Sequence, residues 1–457
     1  MTALTIIHTN DLHSELDRWS AVTALIKNRR AAAEKEGQDV LLFDLGDHCD
    51  RVHPLTEGLV GKGNTELLNA MNYDAVTIGN NEGITLAKSE LNSLYTEAEF
   101  DILLANLYAS QKERPSWAMP WKIYPVENEK KVAVIGLTIP FYAFYEELGW
   151  QVTDPLEEIE TFLSEIENDV DFIICLSHLG LRLDKEIADK FPQIKLILGA
   201  HTHHVLEDGL KINETWLHQC GRSGSHVGEI TVDLEHGEIL KIQTHLVDLN
   251  FRDEETDRLL EKVEAEALPF LQEKVADLPA PMNVSWYKES PLVKEAAEAL
   301  REWCGADIAM FNAGLLLQGL PAGTITKKHL HEICPHPINP AKVSVRGDDL
   351  IKLMYQSNQD NMVHYALKGY GFRGKVLGAT FFSASVWTVQ TAEEILKAAD
   401  QIDEEKIYTL AVPDLFTFSH LYPIVTELQT KSYFMPEFLR DVLAWKLSKA
   451  YSLNRRS

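Results

Sequence analysis

Residues 4–13 read LTIIHTNDLH: an apolar, β-branched run from Leu4 to Thr9 that ends, within four residues, on Asp11 and His13. A short run of this kind reads as a strand buried in a covered sheet. The same design recurs along the first 250 residues, in VLLFDLGD (40–47), AVTIGNN (75–81), DFIICLSH (171–178) and KLILGAHTHH (195–204). DILLAN (101–106) and KVAVIGLT (131–138) are further strand candidates. Between them lie helical patterns at Arg18–Lys35, Thr65–Met71 and Pro155–Asn168. Strands alternating with helices predict an α/β layered domain.

In such folds ligands gather where loops leave the C-terminal ends of strands. Five of these ends carry residues able to bind a metal: Asp11 and His13, Asp44 and Asp47, Asn80, His178, and His201 with His203 and His204. Any one of them alone reads as a turn former or helix cap. A mixed carboxylate, imidazole and amide set on five successive loops has no structural purpose. Mixed oxygen and nitrogen donors suit Mn, Fe, Zn or Co rather than thiolate-bound zinc. A carboxylate among so many donors can bridge two ions about 3.5–4 Å apart, an arrangement that generates hydroxide from water and clamps a phosphoryl group.

The chain has 457 residues and a net charge of −26, which argues against a nucleic-acid polymer or an anionic membrane surface as partner. Bound cations would still draw in a small anionic substrate. Cys49, Cys175, Cys220, Cys304 and Cys334 show no metal-knuckle or redox spacing, as expected in a reducing compartment. The start MTALTIIHTNDLH has no secretory pattern, and the uncharged, apolar run Val132 to Tyr145 is shorter than the roughly 20 residues of a spanning helix. A cytoplasmic protein is expected.

Beyond residue 250, a charged stretch (251–279) reads as helical. SPLVKEAAEALREWCG (290–305) reads as a helix capped by Ser290, with Pro291 in its first turn and Gly305 at its end. The remainder mixes strands with helices near 348–358, 391–400 and 436–450, a second α/β or α+β domain.

In this order DLH, GDxxD, GNxE, SHLG and GAHTHH resemble the calcineurin-like metallophosphoesterases, and nearly the whole chain resembles their two-domain 5′-nucleotidase branch. The resemblance implies a four-layer α/β/β/α sandwich over residues 1–287, a linking helix at 288–304, and an α+β specificity domain at 305–457. It implies two divalent ions: one held by Asp11, His13 and His203, the other by Asn80, His178 and His201, with Asp47 as bridge. It implies hydroxide generated at that pair attacking the phosphate of a nucleotide or other small phosphoester, within nucleotide catabolism. Asp44 and the neighbouring His53 and His204 are expected in supporting roles.

Two departures bear on mechanism. Asn81 stands where the family pattern, GNH followed by an acidic residue, has histidine. Asparagine can hydrogen-bond a phosphoryl oxygen but cannot supply a proton. It is expected to orient phosphate, and three outcomes stay open: a slower monoesterase, a substrate whose leaving group needs no proton, or His48 or His204 filling in as the acid. In the second domain Leu317 replaces a phosphate-binding arginine, for which Arg373 or Arg346 could compensate. Phe372 and Phe416 are the expected base-stacking rings, beside Asn312. A 2′,3′-cyclic phosphodiesterase and a weakly catalytic nucleotide-binding protein remain as alternatives.

Overall fold

Residues 3–111, 113–166, 170–385, 387–389 and 391–451 are described by the structure, a computed structural model. The chain divides into two units, Met1–Ala267 and Leu268–Ser457.

The first unit is built on two six-stranded sheets. One runs, in spatial order, Glu238–Leu246, His226–Asp233, Ala3–Thr9, Asp39–Asp44, Ala75–Val76 and Asp101–Ile102. The other runs Leu210–Ile212, Thr215–His218, Leu196–Gly199, Phe172–His178, Lys130–Thr138 and Trp121–Val126. Alternation within a strand decides what each face meets. Phe172, Ile174 and Leu176 share a core with Leu4, Ile6, Leu41 and Phe43 of the facing sheet. Ile173 and Cys175 point the other way, onto Ile159, Phe162 and Ile187 of the helices Pro155–Glu165 and Leu181–Lys190. The helix Trp19–Lys35 covers the outer face of the first sheet, where Arg29 grips Glu229 through Nε at 2.5 Å and Nη2 at 2.9 Å. The layering is therefore α/β/β/α, as expected. Central strands run parallel: Ala3–Thr9 beside Asp39–Asp44, and Lys130–Thr138 beside Phe172–His178. Their carboxyl ends, which carry the polar loops, are thereby gathered at one edge.

The second unit holds a mixed six-stranded sheet in which Ile308–Asn312 lies antiparallel to Thr380–Ala384 and parallel to Ile407–Pro413. Helices Pro291–Cys304 and Leu439–Tyr451 supply Leu292, Leu300, Leu443 and Leu447 to its core.

Three local expectations are corrected. The stretch 251–279 is helical only over Glu254–Leu271; Lys274–Leu278 pairs antiparallel with Gly323–Thr326, because Ala276 and Leu278 alternate inward. Ser290 sits at the N-cap of Pro291–Cys304, yet its buried hydroxyl makes no capping hydrogen bond. The strand expected at 75–80 is Ala75–Val76 alone, since the chain leaves the sheet early to begin the turn Asn80–Gly83. Val386 and Gln390, in the stretch VLGATFFSASVWTVQ (376–390) that reads as a strand, lie outside the described residues.

Candidate metal centre

Three of the five strand ends turn sharply to aim their donors. Asp11, His13, Asp47, His201 and His203 all have left-handed backbone, with φ of 50°, 52°, 52°, 70° and 58°. Non-glycine residues visit this region at a cost of roughly 1–2 kcal/mol each, and such residues concentrate at functional sites. The turns are held by backbone bonds: Asp11 N donates to Gly46 O (3.1 Å), His13 N to Asp47 O (2.8 Å), and Ser223 N to Asp11 O (2.7 Å). Gly46 (φ +86°) and Gly79 let two of these loops touch. A Cβ on Gly46 would lie 2.2 Å from Gly79 N, and one on Gly79 would lie 2.0 Å from Asp47 Oδ1.

The result is a buried cluster. His13 Nε2 lies 3.1 Å from His203 Nε2, 3.8 Å from Asp11 Oδ1 and 3.7 Å from Asp47 Oδ2. His178 Nε2 lies 3.5 Å from Asp47 Oδ2 and 4.0 Å from Asp11 Oδ1. His201 Nδ1 is 2.9 Å from Asn80 Oδ1, and its ring centroid is 5.4 Å from that of His178. Two groupings have ligand atoms close enough for one ion each: Asp11, His13 and His203, and Asp11, Asp47 and His178. They share Asp11, whereas the resemblance implies Asp47 as the bridge. Asp47 Oδ1 accepts from Asn81 N at 2.7 Å, which leaves Oδ2 between His13 and His178, so both carboxylates stand between the two donor sets.

The donors fit divalent cations on chemical grounds. His178 Nδ1 donates to Leu45 O at 2.6 Å, which orients the ring and aims Nε2 at the cluster, where a bound cation would take the place of its proton; that buried Nε2 has no hydrogen-bond partner among the described residues. Among the described residues, the ion pairs of Asp11 and Asp47 are with histidines alone. Burial raises the pKa of Asp47, but His178 and His13 outweigh it and hold the carboxyl below its ordinary range. Burial lowers that of His178, and Asp47 outweighs it, carrying the imidazole to about 10. Positive charge is what this pocket stabilises.

Asn81 faces the cluster, with Nδ2 2.8 Å from His13 Nδ1, while Asp50 Oδ2 lies 3.4 Å from the same nitrogen. His48 is packed edge-on against Trp19 (ring centroids 4.9 Å apart), with Nδ1 3.2 Å from Asn64 Nδ2 and a pKa lowered by burial to about 3. The structure thus gives His48 a neutral, core-packed ring rather than a proton to donate. His204 is exposed, with Nδ1 3.0 Å from Thr202 Oγ1; His53 caps the helix Pro54–Leu59. Asp44 accepts from Thr9 Oγ1 and Gly46 N, and burial raises its pKa to about 8.

One residue with an evident structural hold on the centre went unassigned in the sequence. Glu82 is 1% exposed; its Oε2 accepts from Asp47 N and Gly79 N, both at 2.9 Å, and its Oε1 from Cys49 N at 2.8 Å. It therefore ties the Asp47 loop to the Asn80 turn. A glutamate two residues after Asn80 was the available signal.

In the second unit Phe372 is 4% exposed and stacked on His336 (5.4 Å, 12°), and Phe416 is fully buried, edge-on to Tyr422 at 4.8 Å. Neither presents a ring face to a ligand in this structure. Asn312 is also buried, its Nδ2 donating to Leu377 O at 2.9 Å. Exposed rings stand beside them: Tyr370 (39%) and Phe418 (41%) lie 6.0 Å apart, and His420 bonds the hydroxyls of Tyr365 (2.9 Å) and Tyr370 (3.2 Å). Arg373 is half-buried, its backbone N donating to His336 Nδ1, while Arg346 is paired with Asp348 and Glu405.

A family model for calcineurin-like phosphoesterases matches residues 4–205, and one for the 5′-nucleotidase C-terminal domain matches residues 274–420. The chain is 40% identical to the uncharacterized metallophosphoesterase YunD of Bacillus subtilis, over 98% of this chain and 99% of that one. It is 25% identical to a 5′-nucleotidase of Vibrio cholerae, over 76% of this chain and 74% of the other. The solved NAD nucleotidase of Haemophilus influenzae shares the fold, with a TM-score of 0.66 at 16% identity over 98% of this chain and 96% of its own. No helix among the described residues is long and apolar enough to cross a membrane. Near-complete alignment at that level of identity, on a scaffold whose strand ends converge on paired donor sets, means that the chain belongs to the calcineurin-like metallophosphoesterases, hydrolases of phosphoric esters, in the branch that carries a 5′-nucleotidase C-terminal domain.

Proposed function

We propose that the protein is a cytoplasmic, two-metal phosphomonoesterase of 5′-nucleotidase type acting on a small nucleotide. The observation that carries this reading is the double donor set with Asp11 common to both groupings and Asp47 Oδ2 between His13 and His178. Asn80 and His201, bonded to each other, complete the second set. Two divalent ions bound there would act as Lewis acids on phosphoryl oxygens and lower the pKa of water. The chain's own part is to hold that geometry: Leu45 O orients the ring of His178, Glu82 fixes the Asp47 loop, and Asn81 Nδ2 is available to turn toward a phosphate oxygen. Within the second unit, Phe372 and Phe416 are buried, whereas Tyr370 and Phe418 keep exposed rings. Stacking on such rings is worth ~1–3 kcal/mol per base in single-strand binders.

The experiment is turnover of AMP by the metal-loaded protein against Asp47→Asn and His201→Ala. Loss of phosphate release in both variants, with folding intact, is expected; undiminished turnover would refute the assigned centre. The amide at Asn81 favours one second reading, a diesterase whose leaving group needs no proton. A bis-p-nitrophenyl phosphate rate well above the AMP rate would select it.

A further inference from the structure

Immediately beside His201 the character of the surface changes. The loop that follows Lys130–Thr138 belongs to an uncharged run, Val132 to Tyr145, in a chain of net charge −26. Phe141 sets its ring edge-on to the His201 imidazole, with centroids 5.8 Å apart at 64°, and the His178 ring lies 5.4 Å from the same imidazole. Phe141 and Phe144 are half-buried and packed on each other at 6.3 Å, while Tyr142 is 52% exposed. An aromatic lip thus adjoins a cluster of carboxylates and imidazoles.

The lip is rigidly mounted. Thr138 is in register with His178 across the parallel sheet. Tyr145 is fully buried, with its hydroxyl 3.3 Å from Thr138 Oγ1 and so close to the Asn80–Gly83 turn that a Cβ on Gly83 would strike it. The backbone closes locally, Phe141 N donating to Ile139 O and Tyr145 N to Phe141 O. Phe141 is therefore fixed to the two segments that carry His178 and Asn80.

We infer that Phe141 is a specificity residue that contacts the alcohol side of the substrate, selecting phosphoesters whose leaving group carries a planar, apolar surface over small aliphatic ones. The inference rests on the phosphoester reading of the centre. With phosphate seated among the donors, a substituent one ester bond away comes within reach of the ring that flanks His201. Edge or offset contact between such rings corresponds to about 3- to 10-fold in affinity.

The test compares wild type with Phe141→Ala and Phe141→Leu in the manganese-loaded full-length protein. Turnover of p-nitrophenyl phosphate is set against glycerol phosphate, and calorimetric binding of phenylphosphonate against methylphosphonate. Expected is a 3- to 10-fold rise in KM for the aryl ester and an equal weakening of phenylphosphonate, with kcat and both aliphatic ligands changed less than 2-fold. Phe141→Leu, which keeps apolar bulk, gives the same ratio should the alanine variant not fold. Aryl and aliphatic ligands falling together would mean that the ring only steadies His201, and no change in either would remove it from the substrate path; both overturn the inference. Wild type that hydrolyses neither ester, yet binds the phosphonates in the expected ratio, would instead sink the hydrolytic reading and leave the aryl preference standing.

Discussion

Replacing Glu82 gives the sharpest test of how the centre is held. Its carboxylate accepts three buried backbone N–H groups, from Asp47, Gly79 and Cys49, at 2.8–2.9 Å. Glu82→Ala strands all three. A buried donor left unpaired costs ~1–3 kcal/mol, so three give roughly 3–9 kcal/mol, the lower figure applying if water enters the space. Glu82→Gln preserves shape and one acceptor oxygen but turns an amide NH₂ toward a backbone donor, a loss on the order of 1–3 kcal/mol. A 3 kcal/mol loss lowers the melting temperature of a domain this size by about 6–12 °C. Because Asp47 and the Asn80 turn move with the carboxylate, metal affinity should fall ~10–100-fold. Calorimetric melting of the apo protein, followed by metal titration, reads both effects, in the order wild type, Gln, Ala. An alanine variant that melts within 2 °C of wild type and binds metal equally well would refute the reasoning.

Asn81→His should raise AMP turnover by about 10²–10⁴-fold by restoring a positioned acid, and steady-state kinetics with unchanged rates would show that the amide is no handicap. Chelation should destabilise the first unit alone: at metal concentrations 100 times Kd each ion adds about 2.7 kcal/mol, so EDTA should lower one calorimetric transition and leave the other in place. Burial, against hydrogen bonds from Asn339 N and Leu415 N, raises the pKa of Asp414 in the second unit to about 7. Folded protein therefore keeps a proton that the unfolded chain releases near pH 4, so stability is fully present below that value and is lost as pH rises toward 7, by up to ~4 kcal/mol. Asp414→Asn, a mimic of the protonated form, should flatten this dependence, as denaturant unfolding of the second unit at pH 5 and pH 8 would report.

The strands of the first unit were legible because both faces are covered, so that Phe172–His178 and Ala3–Thr9 are nearly unbroken apolar runs. The donor types were legible because they stand where such runs stop. Conformation was not: nothing in the letters shows that Asp11 or His203 lies in left-handed backbone, since tertiary bonds such as Asp11 N to Gly46 O impose it. Glu82 was visible as a letter but not as a partner for three amides on two loops. Phe372 and Phe416 were legible as aromatic residues but not as buried ones. Aromatic residues serve cores and ligands alike, and the letters do not show which rings, such as Tyr370 and Phe418, stay exposed. Lys274–Leu278 was hidden within a charged stretch because its partner strand, Gly323–Thr326, lies about fifty residues away.

The left-handed turns carry a consequence for how the protein acquires its ions. Asp11, His13 and Asp47 are clamped by neighbouring amides and carbonyls of the chain itself, so their cost is met during folding and not on loading. A receptor formed in advance loses little further freedom when a cation arrives. Uptake should then be quick and tight, and the species of metal carried should follow whichever divalent ion its surroundings supply most freely.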